Sequence, residues 1–154
     1  MAIEWSSRLE TGVAWQDRQH KEIFRRINGL LDAMNDGFGK EEVSRLFTYL
    51  DEHIVVHFAE EEQAMNRYGY PGLISHLAEH MAFIETVCAL KQECGAGITA
   101  GSVIKVKRAV VDWLANHIAG ADHALGRFMM EAGKKGVKSE NNPGQPNAPF
   151  IHSP

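Results

Sequence analysis

The chain has 154 residues, enough for one domain with a core of its own. Charged residues make up 23% and the formal net charge is −4, a mildly acidic balance that leaves no basic footprint for nucleic acid or an anionic membrane surface. No apolar run is read as long enough to span a bilayer, and the start, 1–11, carries Glu4 and Glu10 where a secretory block would be apolar, so the cytoplasm is the expected compartment.

Residues 1–16 read as an irregular arm whose Trp5, Val13 and Trp15 are apolar enough to pack on the rest. A first helix is expected from Arg18 to Met34, with Asp17 as its N-cap and a stripe of His20, Ile23, Ile27, Leu30 or Leu31, and Met34. Asn35-Asp36-Gly37 stops it. A second, from Glu41 to Tyr68, carries Val43, Leu46, Leu50, Ile54, His57, Glu61 and Ala64 or Met65 before Gly69-Tyr70-Pro71-Gly72 breaks the pattern. The third reads Leu73, His76, His80, Phe83, Val87, Leu90 and Cys94, and ends at Gly95 and Gly97. Cys88 and Cys94 fall on different faces of this helix, about 9 Å apart along its axis, which predicts two reduced thiols. The fourth opens near Gly101-Ser102 and carries Val103, Val106, Val110, Trp113 and His117. Strand-period alternation is absent, and short connections favour antiparallel neighbours. The expected fold is therefore all-α, an up-down-up-down antiparallel four-helix bundle over 1–132, followed by a polar, Pro-rich, mobile tail over 133–154.

Six polar residues, His20, His57, Glu61, His76, His80 and His117, occupy stripe positions that otherwise hold core side chains. Leaving five buried imidazoles unpartnered would cost about 1–3 kcal/mol each, a total comparable with the whole stability of a domain. Residues i and i+4 on a helix differ by about 40° in direction and about 6 Å in height, so His57 with Glu61, and His76 with His80, each aim two ligand groups at one spot. His117 and Asp122 are five apart, about 140° in a straight helix, and Gly120 lies between them. A π-bulge or break over 118–121 is predicted to swing Asp122 inward. Seven N and O ligands are too many for one tetrahedral zinc and suit two octahedral-leaning ions bridged by carboxylates, with imidazole plus carboxylate an iron-compatible mixture.

Asp17-Arg18-Gln19-His20-Lys21, His57-Phe58-Ala59-Glu60-Glu61-Glu62 with Met65, Gly69-Tyr70-Pro71, His76-Leu77-Ala78-Glu79-His80, and Trp113-Leu114-Ala115-Asn116-His117-Ile118 with Asp122 resemble, in this order, the hemerythrin family and its bacterial single-domain members in particular. The resemblance implies that His76, His80 and His117 hold one iron and His20 and His57 the other. Glu61 and Asp122 would bridge them together with an oxide or hydroxide, the two ions cycling between Fe2+ and Fe3+. It implies dioxygen as the ligand, bound at the two-histidine iron behind an apolar wall of Trp113, Leu114 and Ile118. One departure is visible: where family members often carry a tyrosine three residues after the bridging aspartate, this chain has Leu125.

Any single one of these histidines would more readily be a hydrogen-bonded core or surface residue than a ligand; together on the stripes they read as a site. His53, which forms its own HxxxH with His57 one turn later, reads as an edge residue or one that backs a ligand, His123 and His152 as solvent-facing, and Glu60 and Glu62 as a solvated face. The expected function is reversible dioxygen binding for storage, transport or delivery by a monomer that is not an enzyme, with its protein recipient left open. The alternatives are an oxygen or redox sensor and a di-iron oxidase or peroxidase. Carboxylate-rich oxygen-activating sites use Glu-x-x-His pairs, which this chain lacks, and family sensors commonly fuse the bundle to an output domain, of which this sequence carries no segment.

Overall fold

Helix-forming stretches separated by glycine-containing breaks become four rods. In the computed structural model, which describes residues 4–35 and 39–140, a 3-10 turn at Ser7–Leu9 is followed by α1 (Ala14–Asn35), α2 (39–68), α3 (Leu73–Ala96) and α4 (100–140). The rods pack as an antiparallel four-helix bundle, and the described residues contain no strand. Of the expected first stop, Asp36 and Gly37 lie outside the described residues, as does 141–154 with His152.

α1 begins four residues before the expected Arg18, which places Asp17 inside its first turn and not at the cap. The carboxylate is used differently: Oδ1 accepts the Thr11 N–H at 2.7 Å and the Thr11 hydroxyl at 2.9 Å, and Oδ2 accepts the Gly12 N–H at 3.1 Å. It ties the arm to the helix, near the positive end of the helix dipole. The arm is correspondingly less irregular than expected. Trp5 packs with its ring 6.0 Å from Phe24, and Val13 and Trp15 pack on a cluster of Met65, Leu125 and Met129.

α2 is one rod made of Gly39–Tyr49, a π-helical turn at Leu50–Ile54 and Val55–Tyr68. Sequence periodicity did not show this turn; beside it, Tyr49 stacks on His53 with ring centroids 4.6 Å apart. The rod stops because Gly69 takes the left-handed conformation (φ 63), letting the Tyr70 N–H reach the Met65 carbonyl at 2.9 Å.

α3 is long and apolar enough to cross a membrane by length and composition only, a test that the core helix of a bundle also passes. The reason is that its outer face carries Ile74 and Met81, 77% and 62% exposed, in addition to an apolar inner face. That inner face, with His76, His80, Phe83, Val87 and Leu90, is buried in the bundle.

α4 starts at Ala100, capped by Thr99: Thr99 Oγ1 accepts the Ser102 N–H at 3.1 Å and Ser102 Oγ accepts the Thr99 N–H at 3.3 Å. The start therefore falls slightly earlier than Gly101-Ser102. The rod contains the expected π-helical turn, at Ile118–Asp122, and then continues as His123–Glu140. Its last eight residues lie beyond the expected boundary at 132, because the first helix-breaking proline after the bundle is Pro143. Cys88 is exposed and Cys94 buried, both free.

The main core contains Ile27, Leu46, Val106 and Val110, all with no exposed surface, together with Ile54, Phe58, Leu114 and Ile118. Burying each such aliphatic chain is worth about 1.5–3 kcal/mol. The second cluster of Met65, Leu125 and Met129 lies about two turns further along α2 and α4. Leu125, the visible departure from the resemblance, is fully buried there and serves packing. Between the two apolar layers, the rods place a polar one.

Candidate metal centre

His20 comes from α1, His57 and Glu61 from α2, His76 and His80 from α3, and His117 and Asp122 from α4, so every rod contributes. All seven are buried, with His20, Glu61 and Asp122 at 0% exposure. The structure thus brings together every residue singled out from the stripes, and Asp122 as well. The π turn does this for Asp122: its i to i+5 hydrogen bonding brings residues five apart onto the same face, and Asp122 Oδ1 comes 3.0 Å from His117 Nε2. Gly120 plays no conformational part, since it has no positive φ and a side chain there would meet open space.

Two donor groups share the two carboxylates: Glu61, His76, His80, His117 and Asp122 form one, and His20, His57, Glu61 and Asp122 the other. Each carboxylate splits its oxygens between them. Glu61 Oε2 lies 3.4 Å from His76 Nε2 and 3.3 Å from His80 Nε2, while Oε1 lies 3.3 Å from His57 Nε2 and 3.7 Å from His20 Nε2. Asp122 Oδ1 lies 3.1 Å from His76 Nε2, and Oδ2 lies 3.2 Å from His20 Nε2. The imidazoles also face one another through Nε2, at 3.1 Å for His20 with His57, His76 with His80, and His80 with His117.

This is a poor hydrogen-bonding arrangement and a good coordinating one. Glu61 Oε2 and both oxygens of Asp122 are buried without a hydrogen-bond partner. Imidazole–metal bonds of about 2.1 Å put neighbouring ligands about 3.0 Å apart in an octahedron and about 3.4 Å apart in a tetrahedron. The spacings of 3.0 to 3.2 Å among the nitrogens and the Asp122 oxygens match octahedral edges, and those to Glu61 are longer. The buried His/Glu/Asp cluster is suited to binding metal.

Without a metal, protons must do the balancing. Burial disfavours charge on His20 and His76, yet the carboxylates of Asp122 and Glu61 close beside them outweigh it and push both imidazoles up to about 9. For His117 burial is likewise outweighed, by Asp122 and then Glu79, and the group is raised. Burial also disfavours the ionised carboxyls, and the repulsion from Glu61 adds to it for Asp122; the surrounding histidines overcome both and hold each carboxyl well below its ordinary range.

Behind the imidazoles stands an outer layer that sequence reasoning missed. Glu79 Oε2 lies 2.7 Å from His117 Nδ1, Glu62 Oε1 lies 3.4 Å from His80 Nδ1, and Gln19 Oε1 lies 2.7 Å from His57 Nδ1. Gln19 also donates to Glu60, so the reading of Glu60 and Glu62 as a solvated face is corrected: both are only partly exposed and reach the backs of the site histidines or the residue that holds one. Fully buried Gln16 donates its Nε2–H to Glu61 Oε1 at 2.7 Å. Gln19, Glu62 and Glu79 lie one residue off the stripe, where a carboxylate or amide has no signal of its own in a single sequence, and Gln16 precedes the expected helix start at Arg18.

Aromatic rings enclose the layer. Phe58 stacks on His80 with centroids 3.8 Å apart, Trp113 stacks on His117 at 4.3 Å, and Phe83 stacks on Trp113 at 4.2 Å. Trp113 therefore stands against the three-histidine half. Leu114 and Ile118 are each 1% exposed in the adjoining core, and Trp5 from the arm sits 6.3 Å from His20. His53 is an exposed edge residue that shares the wall of a surface cavity of about 210 Å³ with Tyr49 and His57. His123 is half-buried, not solvent-facing.

Residues 11–128 match the family described as the hemerythrin HHE cation binding domain. A bacteriohemerythrin of Methylococcus capsulatus is 34% identical over 116 residues, covering 75% of this chain and 87% of its own. A myohemerythrin of Theromyzon tessulatum is 29% identical over 119 residues, covering 77% of this chain and 87% of its own. The crystal structure of a wild-type hemerythrin superposes with a TM-score of 0.67 at 29% identity, covering 84% of this chain and 98% of that one.

Proposed function

Because the chain belongs to the hemerythrin family, we propose that it binds dioxygen reversibly at a non-heme di-iron centre, as a carrier or store and not as an enzyme. The observation that carries this reading is the unequal sharing of donors: five protein groups on one side and four on the other, with Glu61 and Asp122 common to both. His76, His80 and His117 would hold one iron and His20 and His57 the other, with Glu61, Asp122 and an oxide or hydroxide between them. Two iron ions so held would supply the electrons that dioxygen binding draws on and returns on release. The half with fewer protein groups leaves more coordination positions for a small ligand.

The chain's own part is to orient and to exclude. Glu79, Glu62 and Gln19 fix the ring orientation of His117, His80 and His57 so that each Nε2 faces inward. Leu114, Ile118 and Phe58, at 1 to 2% exposure, close the layer on one side, and Met65 and Leu125, at 0%, close it on the other. Water and protons are thereby kept from a site that favours a small neutral molecule.

The test is an ultraviolet and visible spectrum of the anaerobically reduced protein before and after admitting air, with iron counted on the same sample. Two irons per chain and a colour that appears with oxygen and fades on its removal are expected. Two irons with only irreversible oxidation would move the reading to an enzyme or a redox sensor, and absence of iron would end it.

A further inference from the structure

Asp122 and Glu61 reach both halves of the centre, but they are held there by different means. Asp122 has no hydrogen bond on either oxygen, and its direction is set by the backbone, through the π turn at Ile118–Asp122. Glu61 lies in regular α-helix on a longer, more rotatable side chain, and its Oε2 has no hydrogen-bond partner. Its Oε1 has one, the amide of Gln16 at 2.7 Å. Gln16 sits one turn before His20 on α1, so the rod that supplies His20 also supplies this amide. Burying an amide with no exposed surface is costly unless it is bonded, and Gln16 spends its donor on this one oxygen.

We propose that Gln16 is a positioning residue that keeps Glu61 Oε1 turned toward His20 and His57, so that the two-histidine half retains its metal ion. The proposal rests on the two-metal reading above. Glu61 Oε1 belongs to the His57 side, whereas Oε2 belongs to the His76 and His80 side. With Gln16 removed, the carboxylate is free to rotate both oxygens toward the three-histidine half. That half keeps three imidazoles and Asp122 whatever Glu61 does, and the other half is left with two imidazoles and Asp122. The loss is therefore selective for one of the two ions.

The experiment is an anaerobic titration of the metal-free full chain with Co2+, followed by its visible absorption, for wild type, Gln16→Leu and Gln16→Met. Wild type is expected to take two ions per chain in unequal steps. Both variants are expected to keep the tighter step and to weaken the second by about 10- to 100-fold, the usual effect of losing an outer hydrogen bond to a metal ligand. Glu79→Gln, behind His117, is expected to weaken the first step instead. Gln16→Met preserves length and removes only the amide; wild-type binding in that variant would assign any loss in Gln16→Leu to packing and overturn the proposal. Equal weakening of both steps, or none, would also overturn it. Fewer than two ions in wild type would instead defeat the two-metal reading, and the proposal with it.

Discussion

Asp122 Oδ1 lies 3.0 Å from His117 Nε2 although the two are five positions apart on one rod, a distance that a straight α-helix would not permit. The π turn is what joins them, and both then face His76, at 3.1 Å from Asp122 Oδ1. Asp122→Ala is expected to lower bound iron below two per chain, and His80→Ala to lower iron content and thermal stability together, since metal binding is linked to folding. Iron analysis with parallel melting curves checks both; full iron content in His80→Ala would remove that residue from the ligand set.

The metal-free protein has a pH dependence of predictable sign. His20 and His76 are raised from 6.5 to about 9, so what they contribute to stability is fully present below about 6.5 and is lost as pH rises toward 9. Glu61 and Asp122 are depressed, so their contribution is present above their ordinary values of 4.5 and 3.8 and is lost as pH falls below them. Metal-free melting temperatures should therefore peak between about 4.5 and 6.5 and decline toward pH 9. Metal affinity should run the other way over the upper range, because coordination requires neutral imidazoles. A metal-free protein most stable at pH 9 would contradict the first statement.

Gly120 and Gly126 occupy the same rod and should respond oppositely to alanine. A Cβ at Gly120 meets open space, and Gly120→Ala is expected to be neutral or to stabilise by up to about 1 kcal/mol through helix propensity. A Cβ at Gly126 would stand 2.7 Å from the Thr11 carbonyl oxygen and 2.8 Å from Thr11 Cβ. Backbone there cannot give cheaply, so Gly126→Ala is expected to cost about 1–3 kcal/mol. Chemical denaturation of the two variants side by side reads the difference.

Asp17→Ala should loosen the arm without emptying the centre. It removes three hydrogen bonds to Thr11 and Gly12, one of them at 2.7 Å, and is expected to cost about 1.5–3 kcal/mol. Trp5, packed between His20 and Phe24, should report the change by fluorescence quenching, while bound iron stays at the wild-type level. Loss of iron on this substitution would mean that the arm helps hold His20.

The four rods were legible because helical periodicity is a local property: a stripe of period 3.6 reveals which side of a rod is inward without reference to any other rod. His20, His57, Glu61, His76, His80 and His117 stood out because they broke an apolar pattern at positions that must be buried. Asp122 needed one further step, the irregular turn implied by its spacing from His117. The π turn at Leu50–Ile54 left no such mark, since Leu50 and Ile54 keep a spacing that an ordinary α-helix also allows. The start of α1 and the end of α4 were misplaced because Ala14, Trp15 and Gln16, and then 133–140, lack a distinctive stop or start signal.

By itself, then, the order of residues determined the helices, their inward faces and the side chains presented to the centre, all of which follow from short-range geometry along one chain segment. Only the tertiary structure decided which groups meet between rods. Glu79 behind His117, Gln19 behind His57 and Gln16 on Glu61 depend on how the rods are rotated and spaced, and on which oxygen of each carboxylate faces which half. Distances of a few ångströms between residues more than thirty positions apart are set by the packing of the whole core, and no local period encodes them.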